Sequence, residues 1–302
     1  MLTTVRMSPR ASVLTVLRVQ FYRVQCLFSP TPTDVLHVLP PDETTVLLPV
    51  DISGEYVLPT PVLDLLSSIH VVVLGYYPVP SQAAPAQLKH QHEDDARRHL
   101  DAILNQLTGR VDGISDVLVF THDRDETVDR IATTHDVDAI LTPGDVTTVD
   151  RLLVPLRGES NVENILSLAE TLLASTDATV TLFHATDEAN PDGHGDRLLD
   201  GAVEHLVESG VDPDRIDRQL STDDAVAGIL AAGDEPDILL IGETEPSLRD
   251  RILGRVPSQI LEDAEGPVFV VRDTSGTETV NKTRTGSESG TEYGSGGQTD
   301  AP

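Results

Sequence analysis

Short apolar runs alternate with longer amphipathic segments through the middle of the chain. The runs are rich in Val, Ile and Leu without polar interruption, which is typical of strands buried on both faces of a parallel sheet. The first four lie at 45–50, 69–74, 116–120 and 138–141. The segments between them, at 62–68, 91–107 and 126–134, have the periodicity of helices. This first series predicts a right-handed, doubly wound α/β sheet.

A second series begins at residue 151 and repeats the first. The run 151–156 (RLLVPL) matches 45–50 (TVLLPV), with Pro155 at the position of Pro49, 106 residues earlier. The second and fourth strands match at offsets of 109 and 99 residues. The matching strands of the second series are predicted at 178–183, 217–220 and 236–241. A helix around 257–263 and a fifth strand at 267–271 complete this series, and the first series has no equivalent of either.

The repeat predicts two tandem Rossmann-like domains with doubly wound parallel sheets, the first of them truncated. Their boundaries are predicted at 42–146 and 147–272, and the two copies would face each other as a pseudo-dimer. The differences among the three offsets can be absorbed in loops. The alternative to two domains is one sheet of eight or nine strands.

The two ends of the chain differ from the middle. Residues 273–302 contain seventeen Gly, Ser or Thr among thirty and no Leu, Ile or Phe, so they predict a disordered tail. Residues 1–40 carry four arginines and a single acid, and we interpret 1–41 as a disordered or artefactual extension. A targeting segment and a helix that packs on the domain are the alternatives for this extension.

The charge of the chain excludes several classes of partner. Fifty acidic residues stand against 21 basic ones, and only Lys89 and Lys282 are lysines, which gives a net charge of −29. Nonspecific binding to nucleic acid and docking on an anionic membrane both require a basic face. Acidity with so little lysine indicates a protein of a halophilic cytoplasm, where molar salt screens self-repulsion. No apolar run is long enough to predict a transmembrane helix, and a single cysteine excludes a disulfide framework.

Residue patterns that would support catalysis or metal binding are weak. His90, His92 and His99 lie near the acidic run 93–95, but this combination is typical of a solvated, charged helix start. The chain contains no Ser/His/Asp set, no HExxH motif and no P-loop. We therefore expect a protein that is not an enzyme and holds no metal.

Three features occur together in the second series: the first strand with its Pro turn, a loop that begins at Gly242, and the fifth strand PVFVV at 267–271. With these features residues 151–271 resemble the universal stress protein family, and residues 45–145 resemble it more loosely. The resemblance implies an adenine nucleotide alpha hydrolase-like fold. In nucleotide-binding members it also implies ATP in the crevice at the carboxyl ends of the strands. There, glycines and a helix N-terminus would hold the phosphates.

The sequence departs from the family's loop pattern, which is Gly, two residues, Gly, nine residues, then Gly followed by Ser or Thr. Glu245 replaces the second Gly, and Arg255 replaces the Ser or Thr. Arg157 stands at the position of the family's first-turn Asp; the first series keeps that residue as Asp51 but stops before any phosphate loop. The candidate nucleotide site, for ATP or AMP, consists of Arg157, Gly158, Gly242, Gly254 and Arg255.

We expect this site to be degenerate and the protein to act in stress response or regulation through contacts with protein partners. Homodimer formation is compatible with this role. An ATP- or AMP-binding sensor and a weak ATPase or nucleotidyltransferase-type enzyme are the alternatives.

Overall fold

The computed structural model describes residues 44–158, 161–185, 193–221, 236–243 and 266–273. All structural statements below concern these residues. The predicted extension at 1–41, the predicted helix around 257–263 and nearly all of the predicted tail lie outside them.

Nine strands and five α-helices are observed in this part of the chain. Those of the first series are β1 (Thr45–Asp51), α1 (Thr60–Leu65), β2 (His70–Pro78), α2 (Pro85–Leu107), β3 (Gly113–Thr121), α3 (Arg124–Thr134) and β4 (Ala139–Thr142). Those of the second series are β5 (Arg151–Pro155), α4 (Val162–Ala174), β6 (Thr179–Ala185), α5 (His194–Glu208), a 3-10 turn (Pro213–Arg215), β7 (Ile216–Ser221), β8 (Ile238–Gly242) and β9 (Val268–Val271). Every predicted strand is present within a few residues of its predicted bounds.

Local signals in the sequence explain where the helices begin. Pro85 occupies the first turn of α2, where its missing N–H is not needed, and the helix therefore starts six residues before the predicted 91. The Asp123 side chain accepts a hydrogen bond from the Glu126 amide at 3.0 Å and caps α3. The buried face of α2 consists of Ala96, Leu100, Ile103 and Leu107, as its periodicity predicts.

The strands form one sheet in the order β3-β2-β1-β4-β9-β8-β5-β6-β7. The order β3-β2-β1-β4 of the first series recurs as β7-β6-β5-β8 in the second. The register repeats as well. Val46 lies opposite Val71 and Ala139, whereas Leu152 lies opposite Val180 and Ile238. The three equivalent pairs are 106, 109 and 99 residues apart, which are the offsets that the sequence predicts.

The two series are joined by strand pairing, and they do not form two separate sheets. β9 pairs in parallel with β8 on one edge and antiparallel with β4 on the other. The sheet is therefore the continuous nine-stranded one that was the alternative prediction. Because the first series lacks a fifth strand, the outer edge of β4 would otherwise be unpaired, and an unpaired edge is unfavourable when buried. The division into two domains stays a prediction.

The two series also share a hydrophobic core on one face of the sheet. Residues of α1, α2, α4 and α5 belong to a single buried cluster with alternate residues of the strands, such as Val46 and Leu48. The intervening Leu47 lies on the other face, in a cluster with Val128 and Ile131 of α3. At the join, the Ser175 hydroxyl after α4 donates to the Leu65 carbonyl of α1 at 3.4 Å.

Candidate functional site

The candidate site lies at the carboxyl ends of β5 and β8. The chain proceeds from β5 to β6 on one side, while β8 flanks β5 on the other, so this is a point where the strand order reverses. Open α/β sheets bind ligands at such points. The structure describes Arg157, Gly158 and Gly242 of the predicted site. Gly254, Arg255 and Glu245 lie outside the described residues.

Arg157 and Gly158 form the turn that follows β5. The Arg157 side chain is exposed. Gly158 has φ +74°, a left-handed conformation that side chains other than glycine rarely adopt, and a Cβ here would meet no atom within 4 Å. Backbone conformation therefore accounts for this glycine. The equivalent of Arg157 in the first series, Asp51, accepts a hydrogen bond from the Ser53 amide at 2.8 Å and so stabilises a local turn.

Gly242 ends β8 and lies directly under helix α4. A Cβ at this position would lie 2.7 Å from Cδ1 of Ile165, a helix residue whose side chain is only 4% exposed. The isoleucine thus occupies the space that the glycine leaves. The missing side chain of Gly242 thus allows α4 to pack closely on the sheet. Sequence reasoning assigned Gly242 to the approach of phosphate, and that assignment stays a prediction.

Asn161 ties the loop before α4 to the end of β9. Its amide Nδ2 donates to the Val271 carbonyl at 3.0 Å, and its Oδ1 accepts from Asn164 Nδ2 at 2.8 Å. The residue has φ +61°, a conformation that Asn tolerates better than most residues. Sequence reasoning missed Asn161, although an Asn just before the Leu-rich segment 162–174 was a usable signal for a helix start.

Glu243 and Arg272 form a largely buried ion pair next to Gly242 in the sequence and at the end of β9. Glu243 Oε2 lies 3.7 Å from Arg272 Nε, and the two side chains are 14% and 18% exposed. Arg272 also approaches α3 of the first series, where it donates to the Thr133 hydroxyl at 3.3 Å and lies 3.8 Å from Asp129. The guanidinium therefore links the end of β9 to the first series.

Burial dominates the electrostatics of Glu243. It raises the pKa of this carboxyl above its ordinary value; the Arg272 guanidinium acts in the opposite direction, and the Asp129 carboxylate adds to the increase. A negatively charged ligand placed near Gly242 would approach this carboxylate, whose charge is only partly offset by Arg272.

Two of the three candidate histidines of α2, His92 and His99, have structural contacts, whereas His90 is exposed. The His92 ring stacks on Tyr77 with ring centres 5.3 Å apart, and Tyr77 stacks in turn on Phe120 at 4.9 Å. His99 Nδ1 forms a 2.9 Å hydrogen bond with the Ile52 carbonyl. Within the described ranges, no three His, Cys, Asp or Glu side chains are grouped as metal ligands would be.

None of the helices that the structure describes combines the length and the apolar character that a membrane span requires.

Comparisons with known proteins point to one fold. No protein-family model matches the chain, and no curated protein matches it. Among solved structures, a universal stress protein from Archaeoglobus fulgidus DSM 4304 is similar with a TM-score of 0.57 at 15% identity, over 76% of this chain and 98% of that one. A universal stress protein in complex with cAMP (TM-score 0.36, 18% identity) matches over 42% of this chain and 100% of its own.

A second universal stress protein from Archaeoglobus fulgidus (TM-score 0.36, 19% identity) matches over 40% of this chain and 98% of its own. The Rossmann-like α/β part of the predicted fold class is confirmed by the first of these structures, whose similarity covers 76% of this chain. The chain therefore has the Rossmann-like α/β fold of the universal stress protein from Archaeoglobus fulgidus DSM 4304.

Proposed function

We propose that this chain is a universal stress protein without catalytic activity, which acts in the cytoplasm through contacts with other proteins. The fold and the loop resemblance of residues 151–271 support the family. The absence of catalytic motifs from the sequence supports a regulatory role over an enzymatic one.

The observation that carries the proposal is the filled space above Gly242. A glycine that serves phosphate binding leaves the space next to its Cα empty, so that the ligand can approach backbone amides closely. Here the Ile165 side chain occupies that side, and a Cβ would already lie 2.7 Å from it. The neighbouring Asn161–Val271 hydrogen bond fixes the loop before α4 against β9. These contacts favour the interpretation that the protein's own side chains fill the space in which a nucleotide would bind.

An ATP- or AMP-binding sensor is the second candidate, and Arg157 favours it. This exposed guanidinium forms no ion pair with any residue in the described ranges, although the chain as a whole is strongly acidic. An arginine can hold phosphate oxygens through two parallel hydrogen bonds. In this alternative, Arg255 and Gly254 would supply further phosphate contacts.

Thermal unfolding in molar KCl with and without ATP or AMP separates the two candidates. A ligand present at about 100 times its Kd stabilises a protein by about 2.7 kcal/mol, which shifts the melting temperature measurably. We expect no shift with millimolar nucleotide. A shift that disappears in Arg157→Ala and survives in Arg130→Ala, an exposed arginine on α3, would establish the sensor instead.

Release of inorganic phosphate from ATP tests the enzymatic alternative. We expect wild-type protein to release phosphate no faster than a heat-inactivated sample. Release that is proportional to protein concentration, and that Arg157→Ala reduces, would overturn the non-catalytic part of the proposal.

A further inference from the structure

The two outermost strands of the sheet, β3 and β7, each pair with a single neighbour in the part of the chain that the structure describes. β3 is the longer, with nine residues, and all nine are partly exposed. It contains the apolar run 117–120 (VLVF), and Asp116 is its sole charged residue. A long apolar edge of this kind offers unpaired backbone groups to another strand.

Asp116 points toward the helix layer and forms an ion pair there. Its Oδ2 lies 2.6 Å from Arg97 NH1 of α2, and the two side chains are 13% and 31% exposed. Ile114, Leu118 and Phe120 contact the shared core on this same face of β3. The ion pair thus lies at the rim of an apolar layer, where part of the Arg97 side chain still reaches water.

The other edge carries an ion pair at the equivalent position with the charges exchanged. Arg218 of β7 contacts Asp200 of α5. Asp116 lies opposite Val73 and Arg218 lies opposite Leu182, and these two partners are equivalent by the 109-residue offset. Both edge strands therefore carry a charge that contacts a helix residue of opposite sign, and the pair on β7 is the more exposed of the two.

We propose that the Arg97–Asp116 ion pair prevents β3 from pairing with β3 of a second copy of the chain. Asp116 is the fourth of nine residues, so antiparallel pairing about the middle of the strand would bring the two ion pairs close together. Each pair would then lose its remaining contact with water. Removing ion pairs from water costs more than their mutual attraction returns unless further hydrogen bonds are formed.

The test compares three forms of the full chain by size-exclusion chromatography with light scattering, in molar KCl. Arg97→Leu/Asp116→Val removes both charges and keeps apolar volume, and we expect its mass to double relative to wild type at high protein concentration. Arg97→Asp/Asp116→Arg reproduces the polarity of the β7 edge, and we expect it to keep the wild-type mass. Amide hydrogen exchange across 113–121 should slow in the associated neutral variant.

A folded neutral variant with the wild-type mass at every concentration would overturn the proposal. Association of the neutral variant without slower exchange in β3 would overturn it as well. If the neutral double variant does not fold, the milder Arg97→Gln/Asp116→Asn takes its place, because it also removes both charges, and association through β3 is again the expected result.

Discussion

The structure describes two glycines of the candidate site, Gly158 and Gly242, and a different physical reason favours glycine at each position. Gly158 has a left-handed backbone conformation with open space around it, whereas Gly242 has its space filled by Ile165. Sequence reasoning placed both glycines in the candidate nucleotide site, and that assignment stays a prediction. It could not distinguish the two positions, because only the backbone conformation at Gly158 and the packing of α4 on β8 reveal why each is a glycine.

At the residue scale, Gly242→Ala should destabilise the protein because of Ile165. The new Cβ would lie 2.7 Å from Ile165 Cδ1, and overpacking of this kind costs about 1–3 kcal/mol. In a protein that already carries Ile165→Val, which removes that methyl group, Gly242→Ala should lower the free energy of unfolding by less than half as much as it does in wild type. Chemical denaturation of the two single variants and the double variant measures this coupling.

Gly201→Ala provides a matched control, because Gly201 lies on α5 with no atom within 4 Å of its Cβ position. Alanine is the better helix former, so this substitution should be neutral or slightly stabilising. Strict additivity of Gly242→Ala and Ile165→Val would contradict the contact on which the proposed function rests.

At the element scale, the sequence predicted the strands and their repeat but not how the two series join. Pro49 and Pro155, together with the apolar runs, were sufficient to give offsets that the register confirms. The antiparallel pairing of β9 with β4 was not predictable, because an apolar run such as 268–271 carries no signal for the direction of its second neighbour. The Arg272 contacts with α3 follow from that pairing and were missed for the same reason.

Glu243 at the end of β8 should make stability depend on pH. Burial raises its pKa in the folded state above the ordinary 4.5, against the smaller opposing effect of Arg272. A raised carboxyl pKa means that its contribution to stability is complete below the unfolded pKa and is lost as the pH rises through the folded pKa. Glu243→Gln should therefore become more stable relative to wild type as the pH rises from about 4 to about 7.

Denaturation of both proteins at a series of pH values measures this difference. Glu163→Gln, at an exposed position on α4, is the control and should show no such trend. A Glu243→Gln variant whose relative stability decreases as the pH rises would mean that the ion pair with Arg272 outweighs the burial.

At the scale of the whole molecule, two repeated series share one sheet and one of their cores. The pattern and spacing of apolar runs predicted both the number of strands and their repeat along the chain. They predicted two tandem domains, with one continuous sheet as the alternative, because two Rossmann-like units and one large sheet bury similar apolar runs. The net charge of −29 is likewise a property of the whole chain that no single contact reflects.

This charge predicts a loss of stability at low salt. Between molar salt and about 0.1 M the Debye length grows from about 3 to about 10 Å, so repulsion among the carboxylates reaches further. The melting temperature should fall steadily over this range of KCl concentration, as scanning calorimetry can record. A melting temperature that stays constant would contradict the interpretation of the acidic composition as an adaptation to a halophilic cytoplasm.

The central proposal is that the chain's own side chains, above all Ile165 beside Gly242, keep nucleotide out of the crevice at the carboxyl ends of β5 and β8. Isothermal calorimetry with ATP titrated into the wild-type protein in molar KCl tests it most directly. The account predicts only the heat of dilution. Saturable binding in the low micromolar range would contradict it and would show that nucleotide reaches the crevice despite Ile165.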